Sequence, residues 1–288
     1  MKPLYTQQEE LSKQYIQTKI TEFLKEDSAE TDLTTEAALL NKTTQAVGQI
    51  IAEEDMVFVG GSIIRCVFKN AKKQKVISNG QRCKAGDIIA TIAGDAQLLL
   101  SRERVLLNLL QRLSGIASLT SRYVKTLNSE QIKILDTRKT TPGLRLFEKH
   151  AVTVGGGYNH RLNLSDGIMF KDNHLAIITD LNDSLNQLKK KYANKNIQIE
   201  VDTKAQLETL FNNTSIQIDA ILLDNMSPDE VIRCSQIIRT QAPQCFIEVS
   251  GGITLDNLLK YRDTDIDGIS IGAITHQAVS KNIKFEFK

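Results

Sequence analysis

Cysteine is scarce in this sequence of 288 residues, and the few cysteines lie far apart. They are Cys66, Cys83, Cys234 and Cys245, and no two of them form a C-x-x-C pair. A structural zinc site needs ligands that lie closer together, and a disulfide framework needs a higher density of cysteine. We therefore expect reduced, mostly buried thiols, as in proteins of the cytoplasm.

Long apolar runs and an excess of charge of one sign are also missing. No apolar run approaches the roughly eighteen residues of a membrane span, and the opening MKPLYTQQEELSKQY contains no apolar signal segment. The 36 basic and 34 acidic residues leave a net charge of +2, which gives no reason to expect nucleic-acid or membrane partners. The sequence predicts a soluble intracellular protein that recognises anions through a local pocket.

The first part of the chain mixes helical and β-rich patterns. Residues 7–25 place apolar side chains at helical spacing, which predicts an amphipathic helix. Residues 98–125 form a long apolar helical stretch with an expected break near Gly115. Residues 79–95, read alone, could be a small β-rich carrier module. No lysine stands there in a tight turn of the kind that biotin or lipoyl attachment needs, however, so such an attachment site is not expected.

From about residue 130, apolar strand candidates alternate with helix candidates. The strand candidates are residues 132–136, 167–171, 197–202, 220–224, 245–250 and 268–272. This alternation is typical of a parallel sheet covered by helices. Six such units favour a closed barrel over an open sheet.

Polar, charged or glycine residues follow all six strand candidates, and in barrels the active site lies where strands end. Arginine and lysine among them suit carboxylates or phosphates. Glu200 and Asp224 could hold ribose hydroxyls or a divalent cation such as Mg²⁺. Glycine loops after the last two strands favour a phosphate site, because backbone N–H groups can approach closely there. The cationic set is Arg138, Lys139, His160, Arg161 and Lys171, and the glycine loops contain Ser250, Gly251, Gly252, Gly272 and Ala273.

Several of these residues also allow a purely structural interpretation. His160 and Arg161 could be a surface pair, although the three glycines before them favour close backbone approach. His174 could cap a helix as easily as bind a ligand, and His150 in a helical run is interpreted as structural. His276 is left open. No metal-ligand spacing of histidines and no serine or cysteine nucleophile motif occurs. We therefore expect electrostatic and positional catalysis by a barrel enzyme for one phosphorylated substrate and one small polyanion.

Two longer stretches resemble the signature of the quinolinate phosphoribosyltransferase family. They are LDTRKTTPGLR at residues 135–145 and GGGYNHRLNLSDGIMFKDNH at residues 155–174. With TDLTTE at 31–36, where the family more usually has Gly-Asp-x-Thr, the resemblance covers nearly the whole chain. Shorter matches follow in family order at 103–117, 199–203, 221–225, 249–254 and 269–276.

The resemblance implies a reaction in which quinolinate and phosphoribosyl pyrophosphate give nicotinate mononucleotide, pyrophosphate and CO₂, with Mg²⁺ required. Lys139, Glu200 and Asp224 would be catalytic, and Glu200 and Asp224 would hold the metal, directly or through water. Members of the family are homodimers, and the arginine that completes the partner's site corresponds to Arg104. On residues alone, Arg104 would belong to a solvated helix face. The remaining substrate-binding residues would be Arg138, His160, Arg161 and Lys171 for quinolinate, Ser250, Gly251, Gly252, Gly272 and Ala273 for the 5′-phosphate, and Thr137.

The resemblance also implies the architecture: an α/β fold with an N-terminal α/β sandwich domain and an incomplete (β/α) barrel of parallel strands. The expected sandwich domain spans residues 1–113 and is joined by the tail at 274–288, and the barrel spans residues 114–273. The alternatives are a related phosphoribosyltransferase for nicotinate or one associated with molybdate transport. A non-catalytic phosphate-sensing barrel, which would be expected to lack Glu200 or Asp224, is a further alternative.

Overall fold

The computed structural model describes residues 3–40, 42–214 and 216–288, which form two compact units. The first, here called the antiparallel unit, comprises Gln8–Ser121, Leu146–Gly156 and Gln277–Lys288. The second, here called the parallel unit, comprises Arg122–Arg145 and Gly157–His276 together with the N-terminal segment up to Gln7. Each unit therefore consists of segments that are distant from one another in the sequence.

The antiparallel unit contains a sheet of four strands in the order β12-β1-β5-β3. Its central strands pair over their full length, from Gln45 opposite Asp95 to Ile51 opposite Ile88, with an irregularity between Ile50 and Ile51. The elements are α1 (Lys13–Glu26), a 3₁₀ turn (Ala29–Thr31), α2 (Leu33–Leu39), β1 (Gln45–Ala52), β2 (Met56–Val57), α3 (Gly61–Val67), β3 (Lys73–Val76), β4 (Arg82–Cys83), β5 (Ile88–Asp95), α4 (Ala96–Leu127), α5 (Arg145–Val154) and β12 (Ile283–Phe287).

The first helix is shorter than the sequence predicts. It begins at Lys13 because the side chain of Ser12 accepts a hydrogen bond from the backbone N–H of Tyr15 at 3.2 Å, as an N-cap does. Gln7, which precedes the helix, makes hydrogen bonds to a different segment of the chain. Gln7 accepts from the backbone N–H of Asn159 at 2.7 Å and donates to its carbonyl at 3.1 Å. The apolar spacing of residues 7–25 thus predicts the helix but places its start too early.

The expected break in the long helix near Gly115 is wrong. Helix α4 runs without interruption from Ala96 to Leu127. Gly115 serves a close approach instead: a Cβ there would lie 2.2 Å from the carbonyl oxygen of Val279 and 3.2 Å from the Cα of Ser280. The glycine therefore makes room for the backbone of the C-terminal segment within the same unit.

Replacing Gly115 with Ala should destabilise the protein by about 1–3 kcal/mol, because the added methyl group displaces the backbone at Val279. The expected loss outweighs the gain of about 1 kcal/mol in helix propensity. Gly94→Ala is the matched control, since a Cβ there would lie 3.5 Å from Ala71, an ordinary contact. Urea unfolding of both variants tests the prediction, and equal stabilities would contradict it.

The parallel unit contains six parallel strands in the order β6-β11-β10-β9-β8-β7. All six match the predicted strands, with β9 unchanged at Ala220–Asp224 and the others shortened at one or both ends. The elements are β6 (Lys133–Leu135), β7 (Ile168–Phe170), α6 (Asp172–Leu175), α7 (Leu181–Lys191), β8 (Ile197–Val201), α8 (Lys204–Asn213), β9 (Ala220–Asp224), α9 (Pro228–Gln241), β10 (Phe246–Ser250), a 3₁₀ turn (Leu258–Tyr261), β11 (Gly268–Ser270) and α10 (Ala273–His276).

The parallel sheet does not close into a barrel. Beyond β6, a single parallel bridge joins Leu135 to Tyr158, and within the described residues no ladder joins β6 to β7. The closed barrel favoured by the count of six units is therefore wrong, and the incomplete barrel is confirmed. Every pairing between neighbouring strands of this sheet is parallel, so the carboxyl ends of the six strands lie along one edge.

Candidate active site

The candidate site is built where the six parallel strands end. Asp224 and Ser250 are the last residues of β9 and β10, and their register places them side by side. Glu200 is the last residue but one of β8, and Lys171 directly follows β7. Because parallel strands present their carboxyl ends at one edge, these side chains meet there although they are distant in sequence.

An ion pair and a group of carboxylates form one side of this edge. The ammonium group of Lys171 is paired with Oε2 of Glu200, a side chain that is only 8% exposed. Carboxylate oxygens of Glu200, Asp202 and Asp224 all lie within 4.8 Å of one another. Burial raises the pKa of Glu200, and Asp224 adds to this, while the hydrogen bond and charge of Lys171 oppose the increase. The cluster thus concentrates negative charge that a cation could neutralise.

Asp202 belongs to this cluster although the sequence interpretation did not include it among the site residues. It lies two positions after Glu200, beyond the end of β8, and is exposed. Successive side chains of a strand alternate between faces, so residues two apart point to the same side. The Glu-x-Asp spacing at a strand end is the signal that could have identified it.

Two arginines form the cationic part of the edge. Arg161 is 7% exposed, and one of its guanidinium N–H groups donates to the carbonyl of Gly167 at 3.2 Å. Burial lowers the pKa of Arg161, and the positive charge of Arg138 lowers it further. Two neighbouring cations that repel each other, one of them buried, favour the binding of an anion between or beside them.

The loop that carries Arg138 is held from several directions. The hydroxyl of Thr137 accepts from the backbone N–H of Lys139 at 3.0 Å, and the hydroxyl of Thr275 donates to the carbonyl of Lys139 at 2.7 Å. Arg145 donates to the hydroxyl of Thr140 at 3.0 Å. These bonds fix the loop after β6 before any ligand arrives.

A glycine loop follows β10 at Ser250. Gly251 has φ of +91° and Gly252 has φ of +62°, a region of backbone conformation that favours glycine. The backbone N–H of Asn225 donates to the carbonyl of Ser250 at 2.9 Å, and its side chain donates to Asp224 at 2.7 Å. Asn225 therefore joins the glycine loop to the carboxylate cluster.

The second glycine loop follows β11. A Cβ on Gly272 would lie 2.9 Å from Cδ of Lys139 and 3.1 Å from Nε2 of His276. A larger residue would therefore force the side chain of Lys139 or His276 to shift, and Ala273 begins the short helix beyond Gly272. His276, which the sequence left open, thus lies at this loop with Lys139.

Two other histidines have structural contacts. Nδ1 of His174 accepts from the backbone N–H of Lys171 at 3.1 Å, so His174 caps the short helix that follows β7. His150 is buried in the antiparallel unit, where its Nδ1 donates to the carbonyl of Gln8 at 3.1 Å and its Nε2 accepts from Asn79 at 3.2 Å. Burial lowers the pKa of His150, which keeps the ring neutral.

The predicted partner residue Arg104 lies exposed on α4, in the antiparallel unit. The cations, the carboxylates and both glycine loops described above all belong to the parallel unit, and Arg104 does not. Among the described residues, no helix combines the length and the apolar character needed to cross a membrane.

A parallel α/β sheet whose strand ends carry arginines, a carboxylate cluster and two glycine loops is the arrangement of an enzyme for anionic, phosphorylated substrates. Residues 32–114 match the N-terminal domain of quinolinate phosphoribosyl transferase, and residues 116–286 match its C-terminal domain. The chain belongs to the quinolinate phosphoribosyl transferase family.

Individual proteins agree with this membership over nearly their whole length. The chain is 39% identical over 272 residues to the probable carboxylating nicotinate-nucleotide pyrophosphorylase of Bacillus subtilis, covering 93% of this chain and 91% of that protein. The crystal structure of NadC from Streptococcus pyogenes has a TM-score of 0.87 and 37% identity, covering 97% and 98% of the two chains. The nicotinate-nucleotide pyrophosphorylase of Francisella tularensis has a TM-score of 0.87 and 30% identity, covering 99% and 100%.

Proposed function

We propose that this chain transfers the phosphoribosyl group of phosphoribosyl pyrophosphate to quinolinate and releases CO₂, which gives nicotinate mononucleotide and pyrophosphate. The reaction belongs to the synthesis of NAD. The observation that carries the proposal is the Arg138–Arg161 pair beside the carboxylate cluster. The arginines can bind the carboxylates of quinolinate, and the carboxylate cluster can hold the Mg²⁺ that accompanies a polyphosphate. Family membership supports the same substrates.

The quinolinate carboxylates are assigned to the cationic side of the edge. Arginine binds a carboxylate through two parallel N–H groups, which fixes the plane of the pyridine ring as well as its position. Arg161 is buried enough for such a bond to form in a medium of low dielectric constant. The assigned residues are Arg138, His160, Arg161 and Lys171, and Thr137 belongs to the substrate-binding set without a single assigned substrate.

Phosphoribosyl pyrophosphate is assigned to the glycine loops and the carboxylates. Lys139 would hold the pyrophosphate, and Glu200 and Asp224 would contact the ribose. Backbone N–H groups of the glycine loops would surround the 5′-phosphate, since the residues without side chains let it approach closely. The loop residues are Ser250, Gly251, Gly252, Gly272 and Ala273.

The carboxylate cluster fits Mg²⁺. Glu200, Asp202 and Asp224 offer hard oxygen ligands within 4.8 Å of one another, which is the donor chemistry that Mg²⁺ prefers. We assign Glu200 and Asp224 as its residues, directly or through water, and a bound Mg²⁺ would neutralise the charge of the pyrophosphate.

The protein's part in the chemistry is orientation. Departure of pyrophosphate leaves an oxocarbenium-like ribose that the quinolinate nitrogen attacks, and the cationic ring can then lose its 2-carboxylate. Arg138 and Arg161 would hold the ring nitrogen towards the ribose, and the buried position would exclude water that could compete for the ribose. Lys139, Glu200 and Asp224 are the proposed catalytic residues in this arrangement.

The cellular location, the oligomeric state and the domain bounds are part of the same proposal. A cytoplasmic homodimer in which Arg104 of one subunit completes the site of the other would bring a further cation to the quinolinate carboxylates. The exposed position of Arg104 on α4 leaves its guanidinium group available for such a contact. The domain bounds 1–113 and 114–273, with the tail 274–288, remain the proposed division of the family fold.

A nicotinate phosphoribosyltransferase and the molybdate-associated relative are the remaining candidates for this site. A monocarboxylate such as nicotinate needs fewer cations than the site provides in Arg138, Arg161 and Lys171. The loss of CO₂ is the difference that an assay can measure directly.

The test is an assay of the purified protein with Mg²⁺, phosphoribosyl pyrophosphate and quinolinate labelled in its 2-carboxylate, with nicotinate in a parallel reaction. We expect labelled CO₂ and nicotinate mononucleotide in equal amounts from quinolinate, and no product from nicotinate. Product from nicotinate alone would replace the proposal with the monocarboxylate activity. Removal of Mg²⁺ with a chelator should abolish turnover, and added Mg²⁺ should restore it.

A further inference from the structure

A fully buried carboxylate lies beneath the cationic side of the site, and none of the roles described so far uses it. Glu248, on the central strand β10, is 1% exposed. Its Oε2 accepts a hydrogen bond from the side-chain amide of Gln198 at 2.7 Å and lies 3.4 Å from Nε2 of His160. A charge in such a position costs several kcal/mol unless it is fully partnered, so its presence calls for a specific explanation.

The hydrogen bonds around His160 define its tautomer. Nδ1 of His160 accepts from the backbone N–H of Arg161 at 2.8 Å, so Nδ1 carries no proton. The proton of the neutral ring must then be on Nε2, where it faces the carboxylate of Glu248. Both ring nitrogens are thus engaged with groups of the protein.

The other sides of His160 are held as well. Its backbone N–H donates to the carboxylate of Asp136 at 2.8 Å. The ring of Tyr5 packs on the imidazole with ring centroids 4.7 Å apart. The hydroxyl of Tyr5 donates to Gln198 at 2.8 Å, which completes a chain of contacts from Tyr5 through Gln198 to Glu248.

We propose that Glu248 is a positioning residue that acts through His160 on Arg161; this rests on the function proposed above. Glu248 fixes the imidazole through Nε2, and the imidazole fixes the backbone of Arg161 through Nδ1. The guanidinium group then starts from a defined position beside Arg138.

The charge state of Glu248 agrees with this role. Burial alone would raise the pKa of Glu248, but the nearby His160 and the hydrogen bond from Gln198 outweigh it and hold that pKa below its usual range. Glu248 is therefore an anionic acceptor for the Nε2 proton of His160. An anionic acceptor selects the Nε2–H tautomer more strongly than a neutral one.

The first test is nitrogen-15 NMR of the histidine rings in the wild-type protein, which contains four histidines. His160 should show a protonated Nε2 and an unprotonated Nδ1. His150 serves as an internal reference of the opposite kind, because its Nδ1 donates to a carbonyl and its Nε2 accepts. Adding quinolinate should leave the protonation of the His160 ring unchanged. A proton on Nδ1 before or after this addition would overturn the proposal.

The second test is kinetic and uses Glu248→Gln. The KM for quinolinate should rise about ten- to a hundredfold, the range expected for losing a hydrogen bond to a charged group. The KM for phosphoribosyl pyrophosphate should change by no more than about twofold, since only one substrate's binding residues are disturbed. Glu148→Gln is the matched control: Glu148 is also fully buried and is paired with Arg112, but it lies in the antiparallel unit.

A variant that preserves the core covers the case in which Glu248→Gln does not fold. Tyr5→Phe removes the hydroxyl that donates to Gln198 and keeps the ring that packs on His160. It should raise the KM for quinolinate by about two- to tenfold. An active wild type with unchanged quinolinate KM in the folded variants would refute the positioning role. An inactive wild type would instead refute the proposed function, and the NMR test would still decide the tautomer.

Discussion

Replacing Arg138 with Ala is expected to lower kcat/KM for quinolinate by about 30- to 5,000-fold, because a bound carboxylate is left unpaired at a cost of about 2–5 kcal/mol. The same change should not destabilise the free protein. Burial is the main cause of the lowered pKa of Arg161, and the positive charge of Arg138 lowers it further, so the two cations repel each other in the absence of ligand. Removing one cation relieves this repulsion, so the midpoint of thermal unfolding should stay constant or rise.

The matched control for Arg138→Ala is Arg239→Ala, which should show the opposite result. Arg239 also lies in the parallel unit, where it donates to the carbonyl of Cys245 at 2.9 Å and to Asp267 at 2.9 Å. Its loss should lower the free energy of unfolding by about 1–3 kcal/mol and leave the KM for quinolinate unchanged. Steady-state kinetics and thermal unfolding of both variants make the comparison. A stability loss in Arg138→Ala as large as in the control would show that Arg138 is structural.

Replacing Gly251 with Ala is the second change with a large expected effect. A Cβ there would lie 2.2 Å from Oδ1 of Asn225, and the backbone φ of +91° is unfavourable for alanine. Asn225 must move, and with it the hydrogen bond to Asp224. Since a displacement of about 1 Å at a reacting group can cost about a hundredfold in rate, we expect a loss of that size in turnover with phosphoribosyl pyrophosphate.

The variant Gly252→Ala distinguishes the effect of the steric clash from the effect of the backbone strain. Gly252 also has a positive φ, of +62°, but a Cβ there would meet nothing within 4 Å. It should lose only about 1 kcal/mol of stability, and the Mg²⁺ concentration that gives half-maximal turnover should stay at the wild-type value. In Gly251→Ala this concentration should rise, because Asp224 is displaced. A rise in both variants would show that strain, and not Asn225, is responsible.

The strands of the parallel unit could be predicted from the sequence because apolar runs bounded by polar residues are local signals. Ala220–Asp224 was predicted with its observed bounds, and the strand ends place Glu200 and Asp224 at one edge, as expected. The residues at that edge follow from strand direction alone. Their roles follow from the resemblance to the family and remain proposals.

The features that the sequence did not predict depend on contacts between distant segments. The sequence predicts a helix break at Gly115, yet this glycine accommodates the backbone at Val279. Closure of the parallel sheet depends on whether its two outer strands, β6 and β7, pair with each other. The local sequence pattern of a strand does not determine this. The apolar character of their strands hides Gln198 and Glu248. Polar residues nevertheless alternate there with isoleucine, valine and phenylalanine, and this period of two is the signal for a polar face of the sheet.

The pairing of the last strand with the first has a consequence for the order in which the protein folds during synthesis. Ala52 in β1 pairs with Ile283 in β12, and Gly48 pairs with Phe287. A ribosome adding about 5–20 residues each second needs roughly 10–50 s to make the intervening chain. During that interval one edge of β1 presents unpaired backbone groups, which can attract other chains. Chaperone dependence and aggregation of nascent chains should therefore end only when Ile283–Phe287 emerges.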